Sequence, residues 1–297
     1  MINSTESAFN SKIAVITGGS RGIGFNIAKA LVERGVKVVL GDILDKEGNA
    51  AAKELNDQYD RQVAIYQHTD VTKYSDLKVL FSMAVEVFGG VDIAIMNAGI
   101  TGPLAGGVFT PLDDEADMRI QEINLGGVIK GDKVALLHMA KQNRGGVIIN
   151  TGSMSGLTSL SILGQYTASK HGIVGWTRCL ANMKEVCNVR VNAVCPCVCD
   201  TDLNNNLDSK ESFDFLEATP KTKMEHIVKA MLQCIEDPTL AGDLLLALPD
   251  GVHFQPSLAL PDTEEMSEFL KKLPHVQEQA NNRYKKILAE AIKNAGI

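Results

Sequence analysis

Tyr166 and Lys170, within the run Tyr166-Thr167-Ala168-Ser169-Lys170, stand four positions apart in a segment of helical composition, so both side chains project from one helix face. A phenol with its reference pKa near 10 is a poor base at neutral pH. A neighbouring ammonium group, together with the positive ring of an oxidised nicotinamide, favours the phenolate and makes the tyrosine a workable general base. Ser153 lies thirteen positions earlier, just after the apolar run Val147 to Asn150. A strand followed by a helix would bring its hydroxyl beside the phenol, where it could bond a substrate oxygen. Each feature has a plainer reading. Tyr-x-x-x-Lys pairs are common in ordinary helices, and a serine among Thr151, Ser155 and Ser159 suits a turn or a cap.

A second group of residues suits a dinucleotide. Thr17-Gly18-Gly19-Ser20-Arg21-Gly22-Ile23-Gly24 follows the apolar run Ile13 to Ile16 and precedes a helix-compatible segment, the setting such a site requires. Glycines let the backbone turn sharply and approach a pyrophosphate, and the helix N-terminus supplies N–H groups and a positive dipole end. Asp42 closes the second apolar run, at the distance where a carboxylate accepts from the adenosine ribose hydroxyls and repels a 2′-phosphate. That favours NAD over NADP, although a solvated Asp at a strand end is the alternative. Arg21 points the other way, because it could reach a phosphate. Cys195, Cys197 and Cys199 alternate as thiols on an extended chain would, but no second pair completes a zinc set. They read as buried or redox-accessible thiols, with no metal expected. His171, beside Lys170, reads as a packing or hydrogen-bonding residue.

Apolar, β-branched runs separated by helix-length segments position these groups: Ile13 to Ile16, Val36 to Leu40, Val63 to Tyr66, Val91 to Met96, Val147 to Asn150, Val189 to Val194 and Leu244 to Leu248, with helices such as Gly22 to Arg34 and Ser75 to Phe88 between them. The alternation predicts an α/β fold, one doubly wound Rossmann-type domain whose mostly parallel seven-stranded sheet is flanked by helices. Residues 1–11 read as a flexible N-terminus, 12–260 as the dehydrogenase-type domain and 261–297 as a C-terminal helical extension. In that tail Pro274 is expected to separate two helical stretches, the second carrying a stripe of Tyr284, Ile287, Leu288 and Ile292 that packs on the body or on a subunit. Thr101 to Asp117 and Asp202 to Thr222 interrupt the alternation and are expected to be loops near the substrate.

Composition narrows the function. A net charge of -7 over 297 residues argues against a nucleic-acid partner and favours a small-molecule substrate. No apolar run approaches the length of a membrane span, and the polar start lacks the pattern of a secretory or transit signal. Six cysteines in so long a chain do not suggest a disulfide framework; a cytoplasmic protein with reduced thiols is expected.

In these motifs the chain resembles the short-chain dehydrogenase/reductase family, from about Lys12 to Gln255. The resemblance implies NAD(P)-dependent interconversion of an alcohol and a ketone. It places Tyr166, Lys170 and Ser153 in the catalytic set and adds Asn124, from Glu122-Ile123-Asn124-Leu125, as the holder of a proton-relay water. It implies cofactor contacts along Gly18, Ser20, Arg21, Gly22, Ile23 and Gly24, at Asp42 and Ile43, at Asp70 and Val71 beside the adenine, and at Asn97, Ala98 and Gly99. Further contacts fall on Tyr166, Lys170, Pro196, Cys199 and Thr201. Within the family, the segments Ser169 to Gly175, Asn192 to Pro196 and Gly251-Val252-His253-Phe254-Gln255 are similar to those of enzymes acting on hydroxylated lipids. They imply NAD-dependent oxidation of a secondary alcohol such as a 15-hydroxyprostaglandin or a hydroxy fatty acid. An NADPH-dependent carbonyl reductase and a non-catalytic NAD-binding scaffold or sensor are the alternatives. Family precedent implies a homodimer or homotetramer, with the helices around Asn124 and Tyr166 at the interface. Three departures stand out: Met96 where the family writes Asn, Cys197 where it writes Gly after Pro196, and Leu163 where a prostaglandin-oxidising relative is expected to carry Gln.

Overall fold

A computed structural model describes residues 9–59, 61–101, 109, 111–159, 161–203, 214, 217–257 and 262–297. The first parallel strand, β1 (Ile13–Thr17), is buried along its whole length. Successive side chains of a strand point to opposite faces, and β1 shows the consequence. Ala14 and Ile16 join one apolar cluster, with Ile27, Leu55 and Met231, and Ile13 and Val15 join another, with Leu80, Phe81, Met139 and Ile173. The sheet is therefore covered on both sides, which is why its strands carry continuous rather than alternating apolar residues.

The other parallel strands are β2 (Lys37–Asp42), β3 (Ala64–His68), β4 (Ile93–Met96), β5 (Gly146–Thr151), β6 (Val189–Pro196) and β7 (Leu244–Leu248), and β8 (Gly251–Gln255) follows. Their order across the sheet is β3-β2-β1-β4-β5-β6-β7-β8. α1 (Gly22–Val32) and α2 (Asp45–Asp57) link the first three strands, and α3 (Tyr74–Phe88) leads into β4. Then α4 (Asp114–Ile120) runs through a π-helical turn, Gln121–Gly126, into α5 (Gly127–Gln142). α6 (Gly164–Cys179) and the short α7 (Met183–Cys187) precede β6, and α8 (Met224–Glu236) precedes β7.

The sheet has eight strands where the sequence reading expects seven, because β8 turns back antiparallel on β7 with Leu248 opposite Gly251. Pro249 and Asp250 form the two-residue connection, and Gly251 at φ 143° takes a backbone conformation that disfavours side chains. The segment 101–117 is not all loop: Asp113 Oδ1 accepts from the N–H groups of Glu115 and Ala116 and caps α4, so its acidic residues are the charges a helix start favours. Much of 101–117 and 202–222 lies outside the described residues.

The tail also departs from expectation. α9 (Glu264–Asn294) is one helix that continues through Pro274. Proline removes a donor and frees the carbonyl four residues back, here that of the exposed Leu270, where water can satisfy it. The helix packs on α5 and α7. Its anchor is polar: the buried Asn281 donates to Glu185 Oε2 at 2.6 Å and accepts from Asn182 Nδ2 at 2.8 Å. The apolar stripe divides, with Leu288 and Ile292 partly covered and Tyr284 and Ile287 exposed.

Two buried residues yield predictions. Met96 is 1% exposed in the apolar cluster beneath α5, and a Cβ on Gly131 would lie 2.2 Å from its sulfur. Replacing Met96 with the family's Asn exchanges a packed thioether for an amide. Met96→Asn should lose about 2–4 kcal/mol in urea unfolding, and an unchanged midpoint would contradict this packing. Asp132, fully buried on α5, accepts from Asn150 Nδ2 at 3.0 Å and Trp176 Nε1 at 2.8 Å. Burial, opposed by those two bonds, raises it from 3.8 to about 7. An acid that holds its proton more tightly when folded loses stability as pH rises between its unfolded and folded pKa values. Thermal unfolding from pH 4 to pH 7 should therefore show a falling contribution that is missing from Asp132→Asn; parallel curves would contradict the assignment.

Candidate active site

In a doubly wound sheet, ligands bind beyond the carboxyl ends of the strands where the strand order reverses. Here the reversal lies between β1 and β4, and a cavity of about 620 Å³ opens there. Its lining comes from just past the strand ends: Gly18 after β1, Ile43 after β2, Asp70 after β3, Asn97 after β4, Gly152 after β5 and Cys197 after β6.

Gly18 (φ 63°) and Gly22 (φ 57°) hold the turn between β1 and α1 in a left-handed conformation. A Cβ on Gly24 would lie 2.1 Å from the Gly18 carbonyl oxygen, so the turn can close on the helix only with glycine there. No side chain caps α1, and no acidic residue occupies its first turn, leaving its N–H groups available to an anion. Ser20 Oγ is buried with no hydrogen-bond partner among the described residues. Asp42 fixes the adjoining edge, its Oδ2 accepting from Ser20 N at 3.1 Å and its Oδ1 from Leu44 N at 3.2 Å. These features fit a dinucleotide: an open helix N-terminus, a cradle without Cβ atoms, and a carboxylate at ribose distance.

At the other end of the cavity stand Ser153, Tyr166 and Lys170. Ser153 precedes a short 3-10 turn, and its Oγ accepts from Ser155 N at 3.1 Å. Tyr166 and Lys170 lie one turn apart on α6, the ammonium 5.5 Å from the phenol ring centroid. Tyr166 shares a hydrogen bond with Ser153, which lowers its pKa, but burial dominates and pushes the phenol up to about 12. Burial also drives Lys170 down to about 8, and its Nζ donates to the Thr151 carbonyl at 2.7 Å. The sequence reading expects the lysine to acidify the phenol. In the protein alone it does not, because the low-dielectric pocket disfavours both charges.

Asn124 stands behind the cavity rather than in it. It is fully buried in the π-helical turn. Its Nδ2 donates to Ile100 O at 2.9 Å and Ser169 Oγ at 3.1 Å, and its Oδ1 accepts from Ile100 N at 2.8 Å. Ser169 Oγ in turn donates to the Tyr166 carbonyl, so the amide braces α6 against the segment after β4.

The short chain dehydrogenase family pattern matches residues 12–212, a span holding the glycine turn, Asn124, Ser153, Tyr166 and Lys170. The chain belongs to the short-chain dehydrogenase family. Its curated relatives include the NAD(+) 15-hydroxyprostaglandin dehydrogenase of Bos taurus, 32% identical over 83% of this chain and 94% of that protein. Another is the 3-oxoacyl-[acyl-carrier-protein] reductase FabG of Chlamydia trachomatis serovar D, 32% identical over 76% and 91%. Among solved structures, levodione reductase superposes with a TM-score of 0.73 at 24% identity, over 81% of this chain and 97% of that one, a likeness of fold. The dehydrogenase is an oxidoreductase acting on CH–OH groups, and its family binds a nicotinamide cofactor.

Most of the site residues expected from sequence meet in this cavity: Gly18, Arg21, Gly22, Ile23, Asp42, Ile43, Asp70, Val71, Asn97, Ala98, Gly99, Pro196, Cys199 and Thr201 line it with the three catalytic candidates. Ser20 and Gly24 lie beneath the turn and Asn124 behind the wall. Cys197 also lines it and donates to the Pro220 carbonyl at 3.3 Å, while Cys195 is buried. Among the described residues no group of His, Cys, Asp or Glu could hold a metal. His171 Nδ1 lies 3.0 Å from Thr167 O and takes no part in the cavity. The lipid-enzyme-like segment Gly251–Gln255 is the edge strand β8 and contributes nothing to the lining. Sequence reasoning missed Arg119, Ile123 and Met154 as wall residues, while Leu203 falls in the stretch 202–222 expected near the substrate. Only the helical spacing of Arg119 and Ile123 before Asn124 could have signalled the first two.

The cofactor cradle is testable directly. Gly24→Ala puts a methyl group where the Gly18 carbonyl stands, and NADH affinity in a fluorescence titration should fall at least about tenfold, the scale of roughly 1.4 kcal/mol of forced displacement. Unchanged affinity would show that the close approach does not shape the cradle.

Proposed function

We propose that this dehydrogenase oxidises a secondary alcohol to a ketone with NAD, on a hydrophobic, lipid-like substrate such as a 15-hydroxyprostaglandin or a hydroxy fatty acid. The observation that carries the proposal is the meeting of Ser153, Tyr166 and Lys170 at one end of a cavity whose other end holds Asp42 and the open glycine turn. Ser153 and Tyr166 bind the carbinol oxygen between them, and Tyr166, as the phenolate, takes the hydroxyl proton. Bound NAD would supply the hydride acceptor and, through its positive ring, the charge that favours the phenolate. Lys170, brought down to about 8 by burial, would hold the cofactor's ribose and pass the proton outward. The Asn124 amide is engaged by Ile100 and Ser169, and its part in a water relay rests on the family resemblance.

Asp42 supports NAD, and the Arg21 guanidinium is held by Asp202 at 3.2 Å. Both partners are about half exposed, and such pairs contribute little, so a 2′-phosphate could compete for Arg21; this keeps an NADPH-dependent carbonyl reductase as the second reading. Apolar walls, among them Ile100, Ile123, Met154, Leu163, Val198 and Leu203, support a lipid-like substrate. The family relatives' names support it only in part, since FabG acts as a 3-oxoacyl-[acyl-carrier-protein] reductase. Assembly as a homodimer or homotetramer through α5 and α6, and a cytoplasmic setting consistent with six free cysteines, complete the proposal. No helix among the described residues is long and apolar enough to cross a membrane.

NADH should bind at least about tenfold more tightly than NADPH, and Asp42→Ala should narrow that ratio by removing the carboxylate that repels the 2′-phosphate. Tighter NADPH binding would move the assignment to the reductase. With NAD, hydroxylated fatty acids, prostaglandins and steroids should yield NADH. Bound NAD without turnover across that panel would favour a scaffold or sensor.

A further inference from the structure

We propose that Arg119 is the carboxylate anchor of the substrate site, so that the alcohol oxidised is an acid whose carboxylate is separated from its carbinol by an apolar spacer. This deepens the alcohol-oxidising proposal above and rests on it. The charged residues lining the cavity, among those described, are Asp42, Asp70, Asp202, Arg21, Arg119 and Lys170. Five of them have a hydrogen-bond or ion-pair partner. Asp42 accepts from the glycine turn, Asp70 from Thr72, Arg21 pairs with Asp202, and Lys170 donates to Thr151. Arg119, exposed at its helix, forms neither an ion pair nor a hydrogen bond with the described residues.

Position makes this cation relevant. Arg119 and Ile123 are four apart along α4 and its π-helical continuation, and both line the cavity. They present one face, charged towards the mouth and apolar deeper in. Two ordinary roles fit poorly. A basic residue in the last turn of a helix complements the dipole, but α4 passes without interruption into the π-helical turn and α5, so no helix end lies there. Glu115 and Glu122 stand at helix-neighbour spacing, yet neither forms an ion pair with Arg119 among the described residues.

Ile123, Met154 and Leu163 line the same cavity and offer an apolar wall to the chain between carbinol and carboxylate. The planar guanidinium suits a carboxylate through two parallel hydrogen bonds.

The test uses NAD-loaded protein with 11-hydroxydodecanoate and its methyl ester. The acid should exceed the ester in kcat/KM by roughly tenfold, mainly through KM, as one charge-assisted pair at a water-accessible mouth allows. The ratio should fall towards one in Arg119→Gln and be partly kept in Arg119→Lys. Equal values for acid and ester in the wild type, or a ratio that survives Arg119→Gln, would overturn the anchor while leaving alcohol oxidation in place. If neither compound is oxidised, the rise in Tm of the NAD-loaded protein with each one decides the matter. A rise specific to the acid and lost in Arg119→Gln upholds the anchor and places the failure in the alcohol-oxidation proposal; no acid-specific rise overturns the anchor as well.

Discussion

The site depends on a small hydrogen-bonded knot that holds three strand ends together at the reversal of strand order. Thr17 Oγ1 accepts from the N–H groups of Asn97 and Ala98 at 3.0 and 3.2 Å. Asn97 Nδ2 donates to the carbonyls of Thr17 and Gly18 at 3.2 and 3.1 Å, and Asn97 Oδ1 accepts from Thr151 Oγ1 at 3.3 Å. The Thr151 carbonyl is the acceptor of Lys170. The glycine turn and the Tyr166–Lys170 pair are thus joined through β4 and β5. Each such bond contributes only about 0.5–1.5 kcal/mol net, but an orphaned buried partner costs about 1–3 kcal/mol, so losing one member disturbs several.

Around this knot burial weakens the charge of both reactive groups. Burial opposes both the Tyr166 phenolate and the Lys170 ammonium, so at neutral pH Tyr166 stays a neutral phenol while Lys170 keeps most of its charge and gives it up above about 8. In the proposed reaction a positive nicotinamide ring beside Tyr166 would oppose that preference where the proton is taken, so the acid/base pair would be most active with the cofactor bound.

Much of this was legible in the sequence because periodicity and glycine placement are local signals. Seven apolar runs mark seven strands to within a few residues, and Gly18, Gly22 and Gly24 mark a turn that tolerates little else. Ser153, Tyr166 and Lys170 are legible from residue type and spacing as candidates, and family resemblance adds Asn97 and joins them into one set. What escaped was decided by packing or solvent. β8 depends on a hairpin at the sheet edge, and Pro274 stays helical because its neighbours are exposed. The acidic run at Asp113 reads as loop until its cap geometry is seen. Asn124 faces Ile100 and Ser169, and Arg119 faces the cavity, because of a π-helical turn that sequence does not announce. The desolvation of Tyr166 and Lys170 is likewise a property of the assembled pocket.

The most direct test of the account compares Tyr166→Phe with the wild type in two measurements on one preparation: NADH formation from a secondary alcohol at mildly alkaline pH, and NADH affinity by fluorescence. The account predicts that turnover falls by about 10²–10⁴, the scale of a lost general base, while NADH affinity stays within a few-fold of the wild type. A variant that keeps a substantial fraction of the wild-type rate would contradict the assignment of Tyr166 as the group that takes the proton.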